Sequence, residues 1–162
     1  MMVREITMAG YNQTTAPATI TAVSRCTGTT TASNCAGITN AAAKTISFTA
    51  DINGDGDITD SNENITYFLD TSDGALKRKS TLSAQEQPVV ENVQSLGFVY
   101  YYDGTIAPII PNNLINIRRV KITIVTRTAK EDPNYTDATY GGHYRYYTLS
   151  SFAFPRNLAL GN

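Results

Sequence analysis

The chain reads TISFTADINGDGDITDSNENITYFL from Thr45 to Leu69. Both ends of this stretch alternate β-branched or aromatic residues with polar ones, which is the period-two pattern of a half-buried β-strand. Its middle consists largely of Asn, Asp and Gly, the usual turn residues, because they tolerate positive φ. The stretch therefore predicts a β-hairpin with a long acidic tip.

The acidic tip has the ligand spacing of a calcium loop. Such a loop needs oxygen donors at positions 1, 3 and 5, a glycine at position 6 and a distal carboxylate near position 12. Asp51, Asn53, Asp55 and Gly56 occupy the early places, and Ile58 supplies the apolar anchor expected at position 8. Strands flank the loop instead of helices, so the pattern does not indicate an EF-hand protein.

The end of the loop departs from the calcium pattern. Position 12 is Asn62 and the glutamate follows at Glu63, so Asp60, Asn62 or Glu63 can close the site, and affinity should fall below that of a tight intracellular site. A purely polar turn is the alternative interpretation, but four aspartates in one short loop repel one another without a cation. The candidate calcium ligands are Asp51, Asn53, Asp55, Asp57, Asp60, Asn62 and Glu63.

Two cysteines, Cys26 and Cys35, bracket a segment rich in Thr, Gly, Ala, Ser and Asn. That segment has little hydrophobic means of ordering itself, so we predict a disulfide, which would contribute roughly 2.5 to 3 kcal/mol in the chain-entropy model. The alternatives are two free thiols or two metal ligands, although the spacing is not that of a zinc site and the only histidine, His143, is distant in sequence. A disulfide implies an oxidising compartment.

Composition narrows the classes of function. The formal net charge is -1 and 17% of the residues are charged, so there is no basic field to bind nucleic acid. Abundant Thr, Ser, Asn and Ala, with more Tyr than Lys and no Trp, are typical of secreted β-rich proteins. No apolar run approaches the roughly 20 residues needed to cross a bilayer. We expect an extracellular or periplasmic protein.

The chain of 162 residues predicts one domain in three parts. Residues 1–10 are interpreted as the end of an N-terminal helix stopped by a left-handed Gly10. Residues 11–44 are interpreted as a disulfide-bearing loop, and 45–157 as an antiparallel β-sheet region. The predicted fold class is therefore α+β, a helix leading into an antiparallel sheet.

Within the sheet region, strands are predicted near 45–50, 64–69 and 75–80, forming a meander. Further strands are predicted within 95–103, 117–129 and 144–154, while 87–93 is interpreted as a turn or short helical bend. The tyrosines of 100–102 and 144–147 are interpreted as core and cross-strand packing, with an aromatic adhesion surface as the alternative.

The order of these pieces resembles the minor pilins of type IV pili of the PilW type, and the related J-type pseudopilins of type II secretion. The segments that carry the resemblance are REITMAGY (4–11), ISFTADINGDG (46–56), ITYFL (65–69), LKR (76–78), QPVVENVQSLGFVYY (87–101), IRRVKITI (117–124) and SSFAFPRN (150–157).

The resemblance implies a type IV pilin-like fold, in which a long N-terminal helix anchors in the inner membrane before assembly and a sheet domain lies outside. It implies a structural role in priming a pilus or pseudopilus or at its tip, with other minor pilins or pseudopilins and the major pilin as partners. The sequence is similar only to the soluble part, without the hydrophobic helix, so any membrane contact would run through an upstream helix.

An enzyme is not expected. His143 is the only imidazole, and no Gly-x-Ser-x-Gly nucleophile elbow occurs. One side chain cannot supply nucleophile, base and orienting group together. Two functions remain from the sequence: a structural pilin or pseudopilin, and a secreted calcium-dependent adhesion or recognition module.

Overall fold

A computed structural model describes residues 1–12, 24–26, 35–80, 85–106 and 113–159. Within these ranges the chain is mostly antiparallel β-structure in two sheets. Helical structure is limited to α1 (Met2–Thr7), α2 (Arg156–Ala159) and a 3₁₀ turn (Leu114–Asn116). The predicted α+β, pilin-like class is therefore wrong, because the described helices are short and no long N-terminal helix leads into the sheet.

The apolar face predicted for the N-terminal helix does exist. Met2, Ile6 and Ala9 are buried, and Gly10 has a left-handed φ of 77°. Helix α1 ends at Thr7, and its six residues form less than two turns. The helix predicted for residues 1–10 is thus confirmed only for Met2–Thr7, as a short segment packed on a β-protein. No described helix has the length and apolarity that a bilayer span requires.

The larger sheet contains six strands that lie side by side in chain order. The first pair is parallel and all the others are antiparallel. Its strands are β1 (Ser24–Arg25), β2 (Cys35–Ala41), β3 (Thr45–Thr49), β4 (Asn64–Asp70), β5 (Ala75–Ser80) and β6 (Gln87–Val90).

The smaller sheet is an antiparallel meander of three strands in the order β7, β8, β9. These are β7 (Val93–Tyr101), β8 (Arg119–Arg127) and β9 (Tyr146–Ala153). Only Glu91 and Asn92 separate β6 from β7, and Asn92 has a left-handed φ of 56°. The chain passes from one sheet to the other at this tight link.

One hydrophobic core lies between the sheets and joins them. The predicted hairpin supplies Phe48 and Tyr67, whose rings stack with centroids 6.4 Å apart. Phe98 and Ile122 of the smaller sheet belong to the same core. The period-two pattern of β3, β4, β7 and β8 therefore identified the residues that meet there.

Three strands were not predicted, and the first of them is β1 (Ser24–Arg25), which lies within the predicted disulfide-bearing loop. Cys35–Ala41 was assigned to the disulfide-bearing loop, yet it forms β2. Its first four residues are all buried, so it lacks the polar alternation that marks a half-exposed strand. Gln87–Val90 was interpreted as a turn or helical bend, yet it forms edge strand β6, where Pro88 is tolerated because an edge does not require every N–H. The remaining loop prediction falls largely on residues 13–23 and 27–34, outside the described ranges.

Candidate metal site

The acidic loop joins β3 to β4, as the sequence predicts. Thr49 pairs with Asn64 at the end of the hairpin ladder, and the N–H of Ala50 donates to the carbonyl of Glu63 at 2.8 Å. The loop of residues 51–63 therefore leaves the sheet and returns to it at the same end of the hairpin. The closed base holds the two termini of the loop together independently of any ion.

Alternate side chains fold the loop through a ladder of local hydrogen bonds. Asn53 Oδ1 accepts from the N–H of Asp55 at 3.0 Å, and Asp55 Oδ1 accepts from the N–H of Asp57 at 3.1 Å. Asp57 Oδ1 then accepts from the N–H of Thr59 at 2.7 Å. Each bond spans two residues, the geometry of an Asx turn. The alternating Asx spacing that indicates ligands thus also dictates the turn.

The two glycines supply backbone conformations that other residues disfavour. Gly54 has φ of 77° and Gly56 has φ of 90°. Their N–H groups donate to the two oxygens of Asp51, at 2.6 and 3.2 Å respectively. Asp51 is 1% exposed, so these bonds compensate for the burial of its carboxylate.

Glu63, the last residue of the loop, is the second buried carboxylate. It is 2% exposed, and its Oε1 accepts from the N–H groups of Ile52 and Asn53 at 2.8 and 3.3 Å. Oε2 accepts from the N–H of Asp60 at 3.3 Å. Glu63 therefore reaches back into the loop in the way a closing ligand must.

Asp55, Asp57 and Glu63 form the metal-compatible cluster. Each offers a carboxylate oxygen, and these three atoms lie within 4.8 Å of one another. Calcium binds oxygens at about 2.3 to 2.6 Å, so ligands on opposite sides of the ion lie about 5 Å apart. The three carboxylates are therefore close enough to share one metal ion.

The other predicted ligands have different partners. Asn53 Nδ2 donates to Asp55 Oδ2 at 3.0 Å and to Asp60 Oδ2 at 2.6 Å. These bonds place Asn53 and Asp60 beside the cluster. Asn62 points elsewhere, because its Oδ1 accepts from Arg78 Nη2 at 2.8 Å. Of the three residues that could close the loop, only Glu63 joins the carboxylate cluster.

Electrostatics favour a cation in this loop. The stretch 51–63 contains five carboxylates and neither lysine nor arginine. Asp55 accepts hydrogen bonds from the backbone N–H of Asp57 and from the side-chain amide of Asn53. These two bonds, the first having the larger effect, hold the pKa of Asp55 below its usual range. Asp55 is therefore ionised at neutral pH and presents a negative oxygen at the exposed side of the cluster.

Residues distant in sequence also shape the loop. The N–H of Asp51 donates to the carbonyl of Tyr11 at 2.9 Å, and Ile58 is buried against Ala36 of β2. Burial of Ile58 confirms its predicted role as the loop anchor. The contacts of Tyr11, Ala36 and Arg78 have no local sequence signal, because they are set by the packing of other strands on the hairpin.

The predicted disulfide is present between Cys26 and Cys35. It links the residue after β1 to the first residue of β2, beside the parallel pairing of Ser24 with Cys35. The N–H of Cys26 donates to the carbonyl of Ala36 at 3.1 Å. The disulfide therefore holds the short strand β1 against β2, on which Ile58 also packs.

His143 lies in the exposed segment between β8 and β9. Its Nδ1 lies 2.6 Å from the carbonyl oxygen of Tyr135, and its own carbonyl accepts from the N–H of Asp132 at 2.8 Å. Arg145 pairs with Asp132 at 2.6 Å in the same segment. These contacts form a hydrogen-bonded loop around His143.

No family model, curated protein or solved structure matches this chain.

Proposed function

We propose that this protein is a structural, non-catalytic module of an extracellular assembly, and that its acidic loop binds calcium. The observation that carries the proposal is the approach of Asp55, Asp57 and Glu63, with oxygens within 4.8 Å, at the tip of a disulfide-containing β-protein. Calcium is the preferred ion because it accepts several carboxylate ligands in flexible geometry, whereas Mg²⁺ demands near-ideal octahedral geometry.

The bound ion would act on stability. The carboxylates of Asp51 and Glu63 hold the loop from inside, and a cation at the cluster would neutralise the repulsion among the remaining carboxylates. Binding to the folded state alone stabilises it by mass action, by about 2.7 kcal/mol at 100 times the Kd. Extracellular calcium modules commonly have a Kd of roughly 0.1 to 1 mM, so millimolar calcium outside a cell would suffice.

The particular assembly we propose is a type IV pilus or a type II secretion pseudopilus, with a role in priming the filament or at its tip. This part of the proposal rests on the resemblance of residues 4–11, 46–56, 87–101 and 150–157 to minor pilins. The disulfide agrees with a periplasmic or extracellular location, since cytosolic thiols are kept reduced. Other minor pilins or pseudopilins and the major pilin would be the partners.

Calcium binding is tested by calorimetric titration and by melting with either millimolar calcium or a chelator. We expect Asp55→Asn to lower affinity at least about tenfold, because it removes a negative ligand and keeps the oxygen that accepts from Asp57. Glu131→Gln is the matched control, an exposed carboxylate outside the loop. Equal melting of the wild type in calcium and in chelator would refute the site.

The assembly role is tested in the organism that carries the gene. Deletion should reduce the number of surface filaments or the export of secreted proteins, and the wild-type gene should restore it. Normal filaments and normal export in the deletion strain, combined with loss of calcium-dependent attachment to surfaces, would instead favour a secreted adhesion module.

A further inference from the structure

The edge strand β9 is exposed over most of its length. All six residues from Tyr147 to Phe152 are exposed, although successive side chains of a strand point to opposite faces. The most exposed large hydrophobic residues of β9 are Leu149 at 63% and Tyr147 at 59%. For the tyrosines of 144–147, the predicted core packing is therefore wrong, because Tyr147 is exposed and Tyr144 and Tyr146 are half-buried. Cross-strand neighbours are present, since Tyr146 and Tyr147 lie opposite Arg127 and Thr126 of β8. Side chains on both faces of β9 are therefore exposed from Tyr147 to Phe152, although helix α1 lies close to part of the strand and Ala153 is buried.

The free edge of β9 also has unpaired backbone groups. The N–H of Thr128 donates to the carbonyl of Arg145 at 2.9 Å, and the β8–β9 register continues from there without a shift. Because hydrogen-bonded pairs alternate in an antiparallel ladder, Tyr147, Leu149 and Ser151 bond to β8. The residues whose N–H and C=O groups point away from β8 are therefore Tyr146, Thr148, Ser150 and Phe152. In the described part of the chain, none of these four makes another backbone hydrogen bond.

Nothing in the strand itself protects this edge. Natural proteins block exposed edges with lysine, proline, bulges or very short strands. The sequence YYTLSSFA of β9 has eight residues, with no charge and no proline, and its pairing with β8 has no bulge. Two copies of such a strand would meet without repulsion between like charges.

We propose that β9 pairs with β9 of a second copy of this chain, antiparallel across a two-fold axis at Leu149. The outward-pointing residues must form the hydrogen-bonded pairs, which leaves only registers that set even-numbered residues opposite each other. Centring the axis on Leu149 sets Tyr146 opposite Phe152 and Thr148 opposite Ser150. The interface is isologous, since both copies use the same strand.

The side chains favour this register over the one centred on Ser150. Centred on Leu149, each strand end gains an aromatic pair, and two exposed leucines meet in a non-hydrogen-bonded pair, where side chains approach most closely. Centring on Ser150 would instead place Leu149 opposite Ser151 and Tyr147 opposite Ala153. Ala153 is fully buried, so a partner tyrosine has no access beside it. The Leu149 register joins the two three-stranded sheets into one six-stranded sheet.

Cysteine cross-linking tests the register directly. In the proposed dimer the Cα atoms of the two Leu149 residues lie about 4.5 Å apart, within the range of a disulfide. Leu149→Cys should therefore form a covalent dimer under mild oxidation, and the native cysteines do not compete because they are paired. The matched control is Ser151→Cys on the same face, where the two residues would lie on the order of 13 Å apart and should not cross-link.

Charge substitution tests the interface without a covalent bond. Sedimentation velocity over a concentration series should show dimer for the wild type and monomer for Leu149→Lys and for Leu149→Glu. An equal mixture of the two variants should restore dimer, because Lys and Glu then face each other. Asn134→Lys, in the exposed loop, is the control for an added charge.

Four results would overturn the proposal: a wild type that stays monomeric at every concentration, a dimer that survives both Leu149 substitutions, a mixture that stays monomeric, or cross-linking of Ser151→Cys as efficient as that of Leu149→Cys. Loss of calcium binding by Asp55→Asn should leave dimerisation unchanged, so this test is independent of the proposed function.

Discussion

At the scale of the residue, Glu5 connects the N-terminal helix α1 to the larger sheet. Its Oε2 accepts from Tyr67 Oη at 2.6 Å and from Arg78 Nε at 3.1 Å. The side chain of Arg78 is 7% exposed and that of Glu5 is 24% exposed. The contact is therefore more than a surface ion pair, because one partner is removed from water.

We expect Glu5→Ala to lower the free energy of unfolding by about 2 kcal/mol, since it leaves Tyr67 Oη without its acceptor and a buried guanidinium with less compensation. Arg4→Ala on the exposed side of the same helix should change stability by about 0.5 kcal/mol or less. Urea unfolding measures both. Equal losses for the two variants would show that Glu5 acts only through helix propensity.

Ionisation of Tyr100 makes the free energy of unfolding depend on pH in the alkaline range. It is 2% exposed, its Oη donates to the carbonyl of Ala42 at 2.8 Å, and burial raises its pKa far above the ordinary value. The folded pKa is the higher one, so the contribution to stability is complete below about pH 10, where unfolded tyrosine titrates. It is lost as pH rises from there towards the folded pKa.

We therefore expect stability to fall steeply above about pH 10, and Tyr100→Phe to weaken this fall while costing about 1 kcal/mol at neutral pH through the lost hydrogen bond. Urea unfolding at a series of pH values measures both effects. An unchanged slope above pH 10 in the variant would assign the alkaline transition to another group, with Tyr67 the first candidate because burial and Glu5 raise its pKa too.

At the scale of the element, Gly10 fixes how the segment after α1 meets the rest of the molecule. Its φ is 77°, and its N–H donates to the carbonyl of Thr49 on β3 at 2.9 Å. A Cβ at this position would lie 2.7 Å from Leu158 Cδ2 of helix α2. A side chain at residue 10 would therefore require the Leu158 side chain to shift.

Gly10→Ala should destabilise the protein by about 2 to 4 kcal/mol, the sum of a left-handed conformation and overpacking against Leu158. Gly104→Ala is the matched control, because Gly104 has the same φ of 77° with nothing within 4 Å of the added Cβ. It should cost only about 1 kcal/mol. Thermal unfolding measures the loss of stability in both variants. Equal losses would show that overpacking against Leu158 contributes nothing.

At the scale of the whole molecule, the two sheets share one core. The hairpin β3–β4 contributes Phe48 and Tyr67 to it, and the smaller sheet contributes Phe98 and Ile122. The loop with the metal-compatible cluster begins and ends on that hairpin. A ligand that stabilises the loop should therefore stabilise the entire fold.

We expect calcium to raise the melting temperature of one cooperative transition, with the same midpoint by far-UV and near-UV circular dichroism. Chelator should lower both midpoints together, and Asp55→Asn should remove the calcium effect from both. A calcium-sensitive transition separate from a calcium-insensitive one would show that the larger sheet unfolds independently of the smaller sheet.

Local sequence patterns were sufficient to predict a strand where one of its faces is buried and the other is exposed to solvent. That condition holds for β3 and β4, whose alternation predicted the hairpin, and the Asn, Asp and Gly spacing predicted the acidic loop between them. The pairing of Cys26 with Cys35 was also predictable, because the chain has only two cysteines and the segment between them has little hydrophobic content.

Contacts distant in sequence decided the rest. The choice of Glu63 over Asn62 as the residue that joins the cluster depends on Arg78 of β5 binding the Asn62 amide, which no spacing within the loop encodes. Burial of both faces concealed β2, and the division into two sheets replaced the expected helix-led α+β fold. The exposure of β9 was equally hidden, since its tyrosines were predicted to take part in core and cross-strand packing and only the tertiary structure leaves Tyr147 to Phe152 exposed. Sequence periodicity reports how a strand could be buried, whereas the packing of the other strands determines which surfaces are covered.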